Sequence, residues 1–458
     1  MSFGNERPFP LPTKLPGQGS GPGVSKQRLV ESRLLDLAGS LSSRIGVSRR
    51  SFLASASGMA AAFIALNAVH GPLFVVDAAE AADPAAAAER LGKLREQFIF
   101  DVQTHFVSDR YSRTGLLGLR ELAKQWNPQL KGEKSTLASI RYENYIKEIF
   151  DKSDTTVALL SSAPSDRPDG WFLHNPEIVA ARERINKLAG SRRILAHAVF
   201  TPGQPGWLDQ LDQSIEMKPD SWKGYTLGSP SQSRWPWRLD DEKLVYPAYE
   251  KMLKAGVPIV CIHKGLLPSG YQKRLPNWRY GGPGDIAKAA EEWPQLTFVI
   301  YHSAIRSGSP PSRQELEQFE KTGQIPWLSE LARIPQEHGV GNVYAELGSV
   351  FAISAISNPR YCSGILGTLL KGFGPERVLW GTDSVWYGSP QWQIEALRRV
   401  EIPQDLRRKF GFEALGAADG EVKRAVLGGN AARLYRIKPE KGLYNDRIAA
   451  RKRGQLAG

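Results

Sequence analysis

Between residues 97 and 381, eight short apolar, β-rich runs alternate with longer amphipathic segments, and this alternation constrains the fold more than any other feature of the chain. The runs are Phe98–Val102, Thr156–Leu160, Ile194–Phe200, Trp222–Leu227, Pro258–Ile262, Thr297–Tyr301, Asn342–Ala345 and Val378–Gly381. Continuous apolar strands separated by helical segments mark a parallel sheet covered on both faces. Eight of them predict an α/β fold closed into a (β/α)8 TIM barrel. Helical spacing fills the gaps, as at Ile178, Val179, Ile185 and Leu188 within 176–188, or Leu244, Val245, Ala248 and Met252 within 241–255. Three connections, 106–140, 203–240 and 303–335, are long and rich in Trp, Pro, Gly and Ser. In a barrel such insertions wall the active site. Trp207, Trp222, Trp235 and Trp237 are read either as the lining of a substrate cleft or as packing for the insertion.

The sequence outside the barrel reads differently. Residues 1–47 are rich in Gly, Pro and Ser and are expected to form a flexible tail. Residues 48–82 open with Ser48-Arg49-Arg50-Ser51-Phe52-Leu53, continue through an Ala/Ser/Gly stretch to Val76, and end in small residues around Ala78-Ala79-Glu80-Ala81-Ala82. That layout resembles a twin-arginine export signal, so the expected location is periplasmic or extracellular and the expected partner is the twin-arginine export machinery. A membrane anchor is the weaker reading, because Gly58, Asn67, His70, Gly71 and Pro72 interrupt the stretch. Residues 97–437 form the expected barrel and 438–458 a basic tail. The net charge of +13 is concentrated at the ends: eight basic against five acidic residues precede residue 83, and seven against two follow residue 435. With no binding motif beside that charge, no nucleic-acid partner is expected. Two cysteines, Cys261 and Cys362, are too few for a disulfide scaffold.

Catalytic side chains of a barrel stand at the C-terminal ends of its strands. Strand one ends in Asp101-Val102-Gln103-Thr104-His105, strand five in His263-Lys264-Gly265, strand six in His302-Ser303, strand seven in Glu346-Leu347-Gly348-Ser349 and strand eight in Gly381-Thr382-Asp383-Ser384. Any one of these histidines alone reads as an ordinary core or surface residue. Together, His105, His263, His302 and Asp383 on one rim suit a divalent metal and a water nucleophile. Glu346 is read as a general acid, a ligand or, twice as readily, a hydrogen-bond partner of Lys264 or Arg306. His197 and Cys261 are read as core.

The order of these motifs, with the closing segment Val426-Leu427-Gly428-Gly429-Asn430-Ala431-Ala432-Arg433-Leu434-Tyr435, resembles the amidohydrolase-related family, which includes the aminocarboxymuconate-semialdehyde decarboxylase group. The resemblance implies metal ligation by His105, His263 and Asp383, with His302 close to the reacting group and Asp383 also accepting a proton. The family pattern has His-x-His on strand one, and here the first position is Gln103. Its amide oxygen joins the ligands, orients one from behind, or marks a lost site. The implied cofactor is a divalent metal, zinc in the first place and manganese as the alternative. The expected function is metal-dependent hydrolysis of a small carbonyl substrate such as a lactone, ester or amide. The alternatives are a non-oxidative carboxy-lyase acting on an unsaturated or aromatic acid, and a metal-free ligand-binding barrel. The resemblance also allows a homodimer.

Overall fold

The computed structural model of the chain describes residues 22–124, 130, 133–228 and 233–452. Residues 1–21 of the expected flexible tail and 453–458 of the basic tail lie outside the described residues. The strands are β1 Phe100–Thr104, β2 Val157–Leu160, β3 Ile194–Val199, β4 Ser221–Tyr225, β5 Ile259–His263, β6 Thr297–Tyr301, β7 Val343–Glu346 and β8 Val378–Leu379. They form one sheet in sequence order, each parallel to the next. The sheet closes on itself where Val102 N–H donates to Trp380 O (3.0 Å), Asp383 N–H to Gln103 O (2.9 Å) and His105 N–H to Ser384 O (2.6 Å). Every predicted run contains its strand or overlaps it. β1 reaches past its apolar run to Thr104 because this closing ladder continues to pair its polar end.

The insertion after β1 carries a short helix, Leu117–Ala123, over the C-terminal rim. The tryptophans of the 203–240 segment pack rather than line a cleft: Trp222 is fully buried with its indole N–H on Val257 O (2.9 Å), and Trp237 stacks obliquely against Phe200. Both cysteines are buried and free, and His197 is a buried core residue of β3.

The ends of the chain depart from expectation. In place of a flexible tail to residue 47, helix α1 (Pro22–Arg44) packs on helix α3 (Ala56–His70), burying Val30, Leu34 and Ala38. The segment with the layout of an export leader folds as α2 (Arg49–Leu53), α3 and α4 (Ala78–Ala82), followed by α5 (Pro84–Leu94). Its weak hydrophobicity is sufficient because α3 is buried on nearly all sides, with Ala60, Ala61, Ala62, Phe63, Ala65 and Leu66 at 0% exposure. The lobe is tied to the last barrel helix, Gln391–Arg399. Val75 N–H donates to Arg399 O (2.7 Å), Glu401 N–H to Leu73 O (2.8 Å), and the guanidinium of Arg399 meets the Glu80 carboxylate at 2.5 Å. Arg90 of α5 pairs with Glu395 at 2.7 Å. Among the described residues no helix is long and apolar enough to cross a membrane. At the other end the expected basic tail is docked as well: Asp446 pairs with Arg193 (2.7 Å), and Arg451 of the helix Arg447–Lys452 pairs with Asp151 (2.7 Å).

Arg399 is buried between Glu80 and the more distant Glu395 (3.4 Å), and losing the closer partner is costly because its desolvation is then less well offset. Replacing Glu80 by Ala is therefore expected to lower unfolding stability by roughly 3 kcal/mol, read from the urea midpoint. An unchanged midpoint would show that the lobe is not held through this pair.

Candidate active site

The closing ladder between β8 and β1 sets the floor of the site. It places Gln103 and His105 beside Asp383, while β5 and β6 bring His263 and His302 from across the barrel. His105 Nε2 lies 2.9 Å from Asp383 Oδ1, and His302 Nε2 lies 3.0 Å from His263 Nδ1. The Gln103 amide joins the two pairs. Its Nε2 donates to Asp383 Oδ1 (3.1 Å) and lies 3.4 Å from His302 Nε2 and 3.5 Å from His105 Nε2. All five sequence-derived residues thus meet at one point beneath the rim, four of them buried and His263 half-buried.

The hydrogen positions follow from the partners. His105 Nδ1 faces Ser161 O (3.0 Å) and His302 Nδ1 faces Gly348 O (2.8 Å); a carbonyl only accepts, so both Nδ1 atoms carry the proton. In the neutral rings both Nε2 atoms then present lone pairs to the centre, where Asp383 Oδ1 adds more negative charge. The 2.9 Å contact of His105 Nε2 with Asp383 Oδ1 has to contain a second ring proton or a shared cation.

Electrostatics keep the donors in a cation-ready state. Burial opposes ionisation of Asp383, but the hydrogen bond and charge of His105, with His302 and Ser349, overcome it and hold the carboxyl below its usual range. Burial pushes His302 down to about 4 and His263 well below its ordinary value. Donors around a divalent ion at about 2.1 Å stand about 3 Å from one another, which is the spacing seen here. Among the described residues no three His, Cys, Asp or Glu side chains form a metal-ligand group by themselves. With the amide of Gln103 between the pairs, the donor set fits a divalent cation. Gln103 Oε1, buried with no hydrogen-bond partner, faces away from the centre, and a half-turn of the amide would add it to the donor set.

Glu346 and Ser349, at and just beyond the end of β7, contact the site in ways that their motif alone does not reveal. Glu346 pairs with neither Lys264, which binds Asp285 (2.7 Å), nor Arg306, which meets Glu315 (3.3 Å). Its carboxyl instead accepts from the backbone N–H groups of His302 (2.9 Å) and Gly348 (2.6 Å). It thereby holds His302, Ser303 and Ala304 in left-handed backbone conformations (φ 62°, 44° and 50°), which cost non-glycine residues energy. Ser349 Oγ donates to Asp383 Oδ2 (2.5 Å) and sits 2.6 Å from the Tyr387 hydroxyl, so Asp383 turns only Oδ1 to the centre. Ser349 and Asp383 also have positive φ, 59° and 60°. Strain of this kind gathers at sites where the surrounding structure over-determines the backbone.

Above the floor opens a cavity of about 190 Å³. Leu116, Leu119 and Leu122 of the β1 insertion, Phe172, Ile353 and Trp386 make its wall. Trp386 stacks on the His105 ring (5.5 Å, 15°), and Phe172 meets both edge-on. The tryptophan of the wall therefore lies three residues after Asp383 and is none of the four in the 203–240 segment.

A histidine that takes up its proton at 6.5 when unfolded but at about 4 when folded favours the folded chain fully above pH 6.5, and that contribution is lost as pH falls from 6.5 through 4. For His302 it amounts to roughly 3 kcal/mol. In metal-free protein, His302→Gln is expected to flatten the loss of stability between pH 6.5 and 4.5, measured by urea unfolding; an unaltered slope would mean that His302 is not the titrating group.

The amidohydrolase family signature matches residues 177–437, more than half of the chain. No curated protein matches it. Among solved structures, the chain is similar to an uncharacterized TIM-barrel protein from Bordetella bronchiseptica, at 14% identity over 73% of this chain and 97% of that one, with a TM-score of 0.48. It is also similar to 5-carboxyvanillate decarboxylase from Sphingomonas paucimobilis, at 15% identity over 75% and 100% of the two chains (TM-score 0.41). A third is a putative 2-pyrone-4,6-dicarboxylic acid hydrolase from Pseudomonas putida, at 16% identity over 74% and 97% (TM-score 0.40). On the family match, and on a barrel whose rim gathers His105, His263, His302 and Asp383, the chain belongs to the amidohydrolase family and is an enzyme of that superfamily.

Proposed function

We propose that the enzyme is a metal-dependent hydrolase acting on a small carbonyl substrate, a lactone, ester or amide. The observation that carries this reading is the meeting of His105, Asp383, His263, His302 and the Gln103 amide at the floor of an otherwise apolar cavity. His105, His263, Asp383 and Gln103 would hold the cation. A divalent metal there supplies an acidified water, with a pKa toward about 7, and polarises the substrate carbonyl.

The chain's own residues do the rest. Ser349 occupies Asp383 Oδ2 and leaves Oδ1 to accept a proton from the nucleophile. His302, neutral and with its ring proton committed to Gly348 O, presents Nε2 as a second acceptor beside the reacting group. Phe172, Trp386 and the leucines of the insertion exclude water and pack the substrate body. An apolar cavity of roughly 150 Å³ holds a benzene ring, so the volume here suits a monocyclic compound. The aromatic wall also favours a second reading on the same floor, non-oxidative decarboxylation of an unsaturated or aromatic acid.

Asp383→Asn is expected to abolish turnover and weaken metal binding while the fold persists, judged by circular dichroism. Lactones, esters and aromatic acids, screened with carbon dioxide release followed in parallel, separate hydrolysis from decarboxylation. A fully active Asp383→Asn enzyme would sink the assignment.

We also propose that the protein is exported by the twin-arginine route. Arg49 and Arg50 support this: they stand exposed at the start of α2 while Phe52 and Leu53 are buried. Because Glu80 is paired inside the fold, the leader is taken to stay with the mature protein rather than be cut after Ala82. Replacing both arginines by Lys should trap the protein in the cytoplasm, as seen by cell fractionation; undiminished export would refute the route.

A further inference from the structure

Gln103 is the residue at which the two states of this site part. In the structure its amide nitrogen stands 3.1 to 3.5 Å from Asp383 Oδ1, His302 Nε2 and His105 Nε2. Only the contact to Asp383 has the length of a good hydrogen bond. Its amide oxygen points the other way and has no partner, although it is buried. A buried acceptor without a donor costs on the order of 1–3 kcal/mol, so this orientation leaves a penalty standing.

What lies on that other side is the carboxyl of Glu346. A Cβ at position 348 would collide with both Gln103 Oε1 and Glu346 Oε1, so the two oxygens flank the same glycine. Gly381 gives the same carboxyl room on its other side, since a Cβ there would also strike Glu346 Oε1. With the Glu346 carboxyl ionised, these two oxygens facing one gap hold no hydrogen bond between them. A half-turn about Cγ–Cδ exchanges them: the amide N–H groups then point at Glu346, and Oε1 points into the ring of lone pairs. Without a cation the turned amide would add an acceptor to that ring and remove the donor to Asp383; a cation there satisfies it.

We propose that Gln103 is a two-position ligand. Without metal its NH2 group fills the centre and donates to Asp383. With metal the amide turns over, Oε1 coordinates the ion and Nε2 donates to Glu346. This rests on the metal-dependent reading above and adds a consequence for which ion is taken. An amide oxygen is a hard donor, suited to Mn2+ and similar oxygen-seeking cations, whereas imidazole suits Zn2+. Gln103 in place of a histidine therefore shifts the balance toward Mn2+ relative to an imidazole at the same position. Glu346 acts in this as a positioning residue for the amide, in addition to holding the backbone of His302.

The test is equilibrium metal binding to chelator-stripped full-length protein, with Mn2+ followed by electron paramagnetic resonance and Zn2+ by competition with a chromophoric chelator. Gln103→Leu should weaken Mn2+ at least about tenfold, the size of effect that loss of an orienting or ligating group produces. Gln103→His should move the ratio of Mn2+ to Zn2+ affinity at least about tenfold toward Zn2+. A second measurement needs no variant: on addition of diamagnetic Zn2+, the side-chain NH2 resonances of Gln103 should shift in 15N-labelled wild-type protein, and Glu346→Ala should remove part of that shift. Gln103→Leu binding Mn2+ as tightly as wild type, or NH2 resonances that stay in place while Zn2+ binds, overturns the two-position ligand and leaves the metal-dependent enzyme standing. A wild-type protein that binds neither ion overturns both.

Discussion

The seam between β8 and β1 is the constraint on which the rest depends. Asp101 is wholly buried there, and its carboxyl accepts from Thr382 Oγ1 (2.5 Å), Thr382 N–H (3.0 Å) and Gln103 N–H (3.2 Å). Burial pushes that carboxyl up to about 7 despite three donors, so it is a costly group retained for what it fixes. It fixes the register in which the last strand meets the first. From that register follow the Asp383 N–H to Gln103 O bond and the approach of His105 to Asp383. A slip of one residue would turn Gln103 and His105 out of the barrel together.

A second layer of control lies in the rim backbone. His302, Ser303, Ala304, Ser349 and Asp383 all take left-handed conformations that favour glycine, yet none is glycine. Glu346 and Ser349 carry the hydrogen bonds that hold them. Beneath the site the barrel interior is also polar: Lys223 is fully buried over the Tyr301 ring (3.2 Å) and is pushed down to about 7 by burial. Rim and interior together form a field in which charge on the Asp383 carboxylate is favoured and charge on the His263 and His302 imidazoles is not.

The N-terminal lobe illustrates the limit of composition as a guide. Its Ala, Gly and Ser content is what a leader would have, and an isolated helix of that kind has little to bury. The same small residues let α3 sit closely between α1 and the barrel, where the rings of Phe63 and Phe74 meet at a tilt, 4.8 Å between centroids, and Glu80 reaches Arg399. A partner surface decides such a segment, and no local pattern encodes the partner.

The sequence by itself determined the barrel and four of its rim residues. Strand periodicity is local, and the apolar runs end where polar residues begin, so His105, His263, His302 and Asp383 can be placed by counting along the chain. It also marked Gln103 as the odd residue of the set without saying what the amide does. Only the tertiary structure decided that. The partners of Gln103 come from β6 and β8, the oxygen it leaves unpaired faces a glutamate on β7, and the wall above it comes from an insertion whose leucines read as any amphipathic helix. Contacts between residues roughly 200 and 280 positions apart are fixed by barrel closure, and closure is a property of all eight strands together.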